Sequence, residues 1–442
     1  MRRGTVLGRG QPIVASWLLP RLPFFYGWII LACLCCCGFA RQGPAVATLS
    51  IFVEPMTRDF GWSRAALSGA VSLGGILAAL ASPLIGPVLD RRGARLMLVV
   101  AVLLTGISTM LLSLTQSILG FYLCFCIARL NFAGPFDIGI YGAVNSWFLA
   151  RRAIVNAIVG LAQMLGLVLM PLIAHFAMRA EGWRAGWLAV GSAVLIVGLL
   201  PAWLLLVRRP EDLGLLPDGG LAVSEPAGTP AAATKPPFQA GSEPTFSRRQ
   251  AVRTPAFWLL SLYTVAVYPV QAGISLHQAP HMIESGLPAA VAATIVSTFS
   301  LTAALAGLGF GLVARRIGPR TALAISASSL GASALAMLSI TSALQGYLAA
   351  GCFGVGIGGI LTLLPLAWAD YFGRASFGAI RGVALSLQVT AQAAGPLVSG
   401  LLRDASGSYA LSLAVFAALS FFGAAIALLV RPPRPPRVHR LG

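Results

Sequence analysis

The chain has 442 residues, 57% of them hydrophobic and only 10% charged, with a mean hydropathy of +0.84. That balance excludes a water-soluble enzyme or binding module, whose charged fraction is about 25%. The net charge of +18 could suggest nucleic acid, but the basic residues sit mostly in the tails and in alternate loops between apolar runs, which is the pattern of membrane topology.

In chain order, a basic tail (1–24, with Arg2, Arg3 and Arg9) precedes an apolar stretch that is too long for a cleaved secretory signal. Twelve apolar runs follow, at 25–53, 65–88, 96–114, 118–145, 152–178, 184–207, 254–281, 287–314, 320–340, 345–369, 382–402 and 409–430. Each can cross a hydrocarbon core of about 30 Å, and lipid offers the backbone no partners, so the expected fold class is an all-α membrane protein. Between the sixth and seventh runs, residues 208–253 include Pro210, Pro217, Pro226, Pro230, Pro236, Pro237, Pro244 and the chain's one lysine, Lys235, and read as a flexible cytoplasmic linker. The linker separates two six-helix bundles, 25–207 and 254–430, and a second basic tail, 431–442, carries Arg431, Arg434, Arg437 and Arg440. With both termini inside, the positive-inside rule is obeyed. The excess of arginine over lysine suits a GC-rich bacterial genome, hence the bacterial cytoplasmic membrane.

The seven cysteines (Cys33, Cys35, Cys36, Cys37, Cys124, Cys126 and Cys352) lie in apolar runs and imply packing rather than disulfides or a metal. Gly354-Val-Gly356-Ile-Gly358-Gly359 has the spacing of a dinucleotide loop but lies within a membrane run, where glycine serves helix packing. No Walker or zinc pattern is present, so no cofactor and no metal are expected.

An offset of 225 residues aligns Pro55 with Pro280, Gly61 with Gly286, Gly134 with Gly359, Pro171 with Pro396, Gly182 with Gly407 and Gly198 with Gly423. At the same offset the loop 86–95 meets 311–320, sharing glycine and arginine at Gly93, Arg95, Gly318 and Arg320. Because six runs return the chain to its starting side, the halves are parallel repeats, an architecture that places a solute site near the midplane between them.

Gly86-x-x-x-Asp90-Arg91-x-Gly93-x-Arg95 resembles the loop of the major facilitator superfamily. Phe60-Gly-Trp-Ser-Arg64, Gly182-Trp-Arg-Ala-Gly-Trp187, Arg209-Pro-Glu-Asp-Leu-Gly-Leu-Leu-Pro217 and Asp370-Tyr-Phe-Gly-Arg374 are similar to bacterial members near the oxalate/formate antiporters and monocarboxylate transporters. The resemblance implies twelve helices in two parallel six-helix repeats. It also implies a cytoplasmic gate motif, Gly86, Asp90, Arg91, Gly93 and Arg95, whose acid and arginine lock the halves outward-open; Arg316, Gly318 and Arg320 are its second copy, where any lock must differ. In that second copy Arg315 replaces the acid.

Ionisable residues inside a membrane are the first functional candidates, since each costs about 2.5–3.5 kcal/mol on insertion scales. Arg41 and Arg129 offer forked donors suited to a carboxylate, and Arg129-Leu-Asn-Phe-Ala-Gly134 resembles the superfamily's fourth-span arginine motif. Asp137, about 12 Å further along that helix, is either a proton acceptor or a fixed partner of Arg41. His277 resembles a histidine recurrent in the seventh span of this branch and could line the outer mouth or bond across helices. The 225 offset pairs Gln163 with Gln388, and Gln392 lies one turn on; these amides are candidates for hydrogen-bonding a substrate or for interhelical bonds. The eighth and eleventh runs carry no charge inside their boundaries, so the family's eighth-span arginine and its lysine are absent, and anion contacts are expected from the first half.

The sequence therefore points to a secondary active carrier of a small organic anion, a carboxylate, working by alternating access with proton symport or exchange. It is not an enzyme. Its expected partners are a small-molecule substrate, protons and the lipid bilayer, with no nucleic acid, and the unit is a monomer. An exporter of neutral or cationic amphiphiles is the alternative. A non-transporting sensor ranks below both, because the tails are short.

Overall fold

The computed structural model describes residues 13–219 and 244–434. The tail arginines Arg2, Arg3, Arg9, Arg437 and Arg440, Lys235 with most of the proline-rich stretch, and the side chain of Arg315 lie outside the described residues.

The molecule is helical throughout, with no strands among the described residues. The first half comprises α1 (Gly27–Ala40), α2 (Val46–Phe60), α3 (Arg64–Arg92), α4 (Ala94–Leu111), α5 (Ile118–Ala133), α6 (Pro135–Trp147) and α7 (Arg152–Val194). The second comprises α8 (Pro255–Glu284), α9 (Ala289–Ile317), α10 (Pro319–Met337), α11 (Ala343–Phe372), α12 (Phe377–Ser406) and α13 (Ala410–Leu429). Among the described residues, eight helical stretches are long and apolar enough to cross a membrane. Leucines at more than half exposure along their outer faces, such as Leu80, Leu84, Leu123, Leu301, Leu305 and Leu348, suit a lipid rather than an aqueous surround.

Two runs are broken and the fifth and sixth meet at a third break, each for a local reason. Between α1 and α2, Pro44 removes a backbone donor and disfavours helix at Gly43. Between α5 and α6, Gly134 leaves helical geometry (φ −107°, ψ −86°) ahead of Pro135, which opens the next helix. Within α7, Glu181 and Gly182 (φ 80°) are non-helical and separate the fifth and sixth runs.

The duplication is visible in the backbone. Gly61 and Gly286 (φ 69° and 90°), Gly93 and Gly318 (83° and 79°), and Gly182 and Gly407 (80° and 75°) adopt positive φ in pairs 225 residues apart. Arg95 Nη2 donates to the Trp203 carbonyl at 2.8 Å, and Arg320 Nη2 donates to the Leu428 carbonyl at 2.9 Å, at the same offset.

The ends of the stretch read as linker are structured and docked, not loose. Pro210–Leu213 forms a 3-10 turn, and an Asp218 carboxylate oxygen accepts from the Leu149 and Ala150 N–H groups at 2.9 and 2.7 Å. Arg248–Ala251 is a capped helical turn. A proline-rich stretch can be held at its ends by a few specific polar contacts.

Candidate functional site between the halves

The end of the bundle bearing the arginine-rich loops is where the halves close. Along the α3–α12 crossing, a Cβ on Gly86 would strike the Gly378 carbonyl, and one on Gly378 would strike the Gly86 carbonyl, so the backbones touch without side chains between them. The α7–α9 crossing is the counterpart: a Cβ on Gly311 would stand 3.0 Å from the Ala153 carbonyl. Gly311 and Ala153 are the 225-offset equivalents of Gly86 and Gly378.

Asp90 caps the start of α12: Oδ1 accepts from Gly378 N–H at 2.9 Å and Oδ2 from Ala379 N–H at 2.8 Å. These are otherwise unpaired donors at a helix N-terminus, where a carboxylate is favoured. Arg91 and Arg316 are exposed, while Gly93 and Gly318 terminate α3 and α9 at positive φ. Arg95 and Arg320 bond within their own halves. Two further ion pairs cross the closure, Arg152–Asp370 at 3.1 Å and Arg374–Glu211 at 2.6 Å. Arg374 also donates to the Ser146 carbonyl at 3.1 Å.

Deeper in, the helix breaks assemble a charged cluster. Phe132 lies in the last turn of α5, where carbonyls lack helical partners, and its oxygen accepts from Arg41 Nε at 2.8 Å. Arg41 Nη1 reaches Gln163 Oε1 at 3.4 Å and Nη2 stands 3.6 Å from Asp137 Oδ2. Asp137 is in the first turn of α6, again a favourable place for a carboxylate. Its Oδ1 accepts from Arg381 Nη2 at 3.0 Å, and the same nitrogen donates to Gln388 Oε1 at 2.8 Å.

Arg381 corrects the expectation that the eleventh run is uncharged. Its helix starts at Phe377, five residues before the boundary read at 382, so Arg381 is one turn inside and 1% exposed. Two sequence signals pointed to it. It lies seven residues, two turns on the same face, before Gln388, and the 225 offset aligns it with Asn156, well inside the fifth run.

Each offset-paired glutamine thus accepts from one arginine, Gln163 from Arg41 and Gln388 from Arg381. Arg129 joins the group through Phe132, its guanidinium carbon lying 4.3 Å from the ring centroid. The cluster holds three guanidinium groups and one carboxylate, and Arg381 Nε and Nη1, Arg129 Nε and Gln163 Nε2 are buried without an acceptor.

Other candidates stand apart. His277 Nδ1 is 3.2 Å from the Tyr409 hydroxyl and Nε2 is 3.1 Å from the Pro396 carbonyl, so both nitrogens are engaged across helices away from the cluster. Gln392 Nε2 donates to Gln271 Oε1 at 3.0 Å. Asn131 bonds back to the Ile127 carbonyl at 2.9 Å. Among the described residues, no group of three or more metal-ligating side chains occurs.

The sequence profile of the Major Facilitator Superfamily matches residues 30–282. The chain belongs to this superfamily. It is 27% identical to "Monocarboxylate transporter 11" of Mus musculus over 424 residues, 91% of this chain and 86% of that protein. It is 28% identical to "Gallate transporter" of Pseudomonas putida over 376 residues, 78% of each. The solved structure of a bacterial homologue of the iron transporter ferroportin shares the fold, with a TM-score of 0.67 at 16% identity, covering 91% of this chain and 99% of the other. As a superfamily member the chain is a multi-pass membrane transporter and not an enzyme, acting on a small molecule.

Proposed function

We propose that the protein is a secondary active carrier of a small organic anion, a carboxylate, working by alternating access with proton symport or exchange. One observation carries the reading: three guanidinium groups against one carboxylate between the halves, with donors on Arg381 and Arg129 lacking acceptors. Buried donors without partners cost about 1–3 kcal/mol each, more for charged groups, and a substrate carboxylate would satisfy them. The names of the two relatives, a monocarboxylate and a gallate transporter, support the same substrate class.

With the basic end in the cytoplasm, as the positive-inside rule asks, the contacts at Gly86–Gly378 and Asp90 close the cytoplasmic side. Asp137 joins Arg41 of one half to Arg381 of the other, so a proton on Asp137 would weaken that tie and free both guanidinium groups for an anion. A cationic substrate, by contrast, would have to compete with two arginines for the same carboxylate.

The test is uptake of labelled carboxylates by purified protein in liposomes, with and without a pH gradient. Saturable uptake of at least one carboxylate, reduced at least tenfold in Arg129→Gln and in Arg381→Gln, is expected. Failure of every anion, or uptake unchanged in both variants, overturns the reading.

A further inference from the structure

We propose that Phe132 is a positioning residue that aims Arg129 at the substrate anion while leaving the guanidinium N–H groups of that arginine free. This rests on the anion-carrier reading and adds to it a residue that bears no charge.

Arg41 and Arg129 share one aromatic ring: their guanidinium carbons lie 4.7 and 4.3 Å from the Phe132 centroid. The two are held differently otherwise. Arg41 has all three nitrogens engaged, by the Phe132 carbonyl, Gln163 and Asp137. Arg129 has no hydrogen bond or ion pair among the described residues, and its Nε is buried without an acceptor. The base of its side chain is fixed against α3, where a Cβ on Gly74 would meet Arg129 Cβ at 2.6 Å and Cγ at 2.8 Å. Its charged end is fixed by the ring.

A ring face attracts a guanidinium through its quadrupole and takes no hydrogen bond from it, so the edges of the fork stay open. A carboxylate in the same place would orient Arg129 equally well but occupy its donors and cancel its charge. Phe132 acts on Arg41 through its carbonyl and on Arg129 through its ring, and substitution separates these roles: Phe132→Leu keeps the carbonyl and removes the ring.

The experiment uses the full-length protein in liposomes with labelled lactate and labelled gallate as probes, comparing wild type, Phe132→Leu, Phe132→Tyr, Arg129→Gln and the Phe132→Leu/Arg129→Gln double variant. We expect Phe132→Leu to raise KM about tenfold with Vmax within twofold and an unchanged melting temperature. Phe132→Tyr should restore KM to within threefold of wild type, and the double variant should be no worse than Arg129→Gln alone. Wild-type KM in Phe132→Leu, or losses that multiply in the double variant, overturns the assignment. If the leucine variant melts early, Phe132→Met against Phe132→Tyr decides by the same criterion. If wild type transports neither of these probes nor any other labelled carboxylate, the carrier reading falls, and this assignment with it; an unmoved KM in Phe132→Leu against a transporting wild type sinks this assignment alone.

Discussion

The two halves share a backbone and differ in charge. Positive-φ glycines recur in pairs, and Arg95 and Arg320 make the same bond in each half. The charged positions do not recur: the offset places Ala266 opposite Arg41, Gly354 opposite Arg129, Thr362 opposite Asp137, and Asn156 opposite Arg381. Backbone geometry is a demand that each bundle must meet for itself, so both copies keep it. The cluster between the halves is built once, and each charge is needed from one side only. Gln163 and Gln388 are the exception, the same residue at the same offset, and each accepts from a different arginine.

Breaking the charge asymmetry should have the largest effect. Asp137→Asn leaves Arg41 and Arg381 buried without a carboxylate, and removing one partner of a buried pair costs about 3–5 kcal/mol. The variant should melt well below wild type in detergent, and Asp137→Asn/Arg381→Gln should recover part of the loss. A double variant that melts lower still would show that Arg381 is not paired with Asp137. Arg129→Gln should lower anion uptake by at least tenfold while leaving melting almost unchanged, because that guanidinium has no ion pair to lose.

The two crossings at the basic end offer a finer contrast. Gly86→Ala should separate α3 from α12 and increase modification of cysteines introduced near Gly378 by a membrane-impermeant reagent from that side. Gly311→Ala should do less, since the added methyl meets the Ala157 side chain at 2.9 Å and the Ala153 carbonyl only at 3.0 Å, against direct contact with the Gly378 carbonyl at Gly86. Equal effects would mean that the crossings are interchangeable. The smallest effects should be the most symmetric. Gly61→Ala and Gly286→Ala have open space around the added methyl and bear only the strain of positive φ, about 1 kcal/mol each. Matching shifts in melting temperature would confirm the shared backbone, and a twofold disparity would count against it.

Much of the architecture was legible because lipid imposes it. Long apolar runs must be helices, arginines mark the loops, and an Arg-x-Gly-x-Arg sequence repeated at a fixed offset exposes the duplication. Arg41, Arg129 and Asp137 were visible as charges within apolar runs. What was not legible is how they meet. The Arg41–Phe132 bond depends on a helix ending at Gly134 and another at Arg41, and both sites look continuous by hydropathy. Arg381 was hidden by the rule that found the topology: an arginine at the margin of an apolar run reads as a loop charge, whereas here the helix begins a turn earlier and buries it. His277 drew attention as a histidine within an apolar run, and of its two expected roles the structure shows bonding across helices, tying together α8, α12 and the start of α13.

The backbone contact between Gly86 and Gly378 bears on electrical insulation. A carrier in an energised membrane must not conduct between turnovers, and a file of water between the halves would let protons through in both directions. Carbonyls and α-carbons pressed together, with no side chains to swing aside, leave no gap for such a file at that crossing. In the proposed alternating-access cycle the same smoothness would let the surfaces part and re-form without repacking rotamers, so that the seal is tight and still remade at each turn.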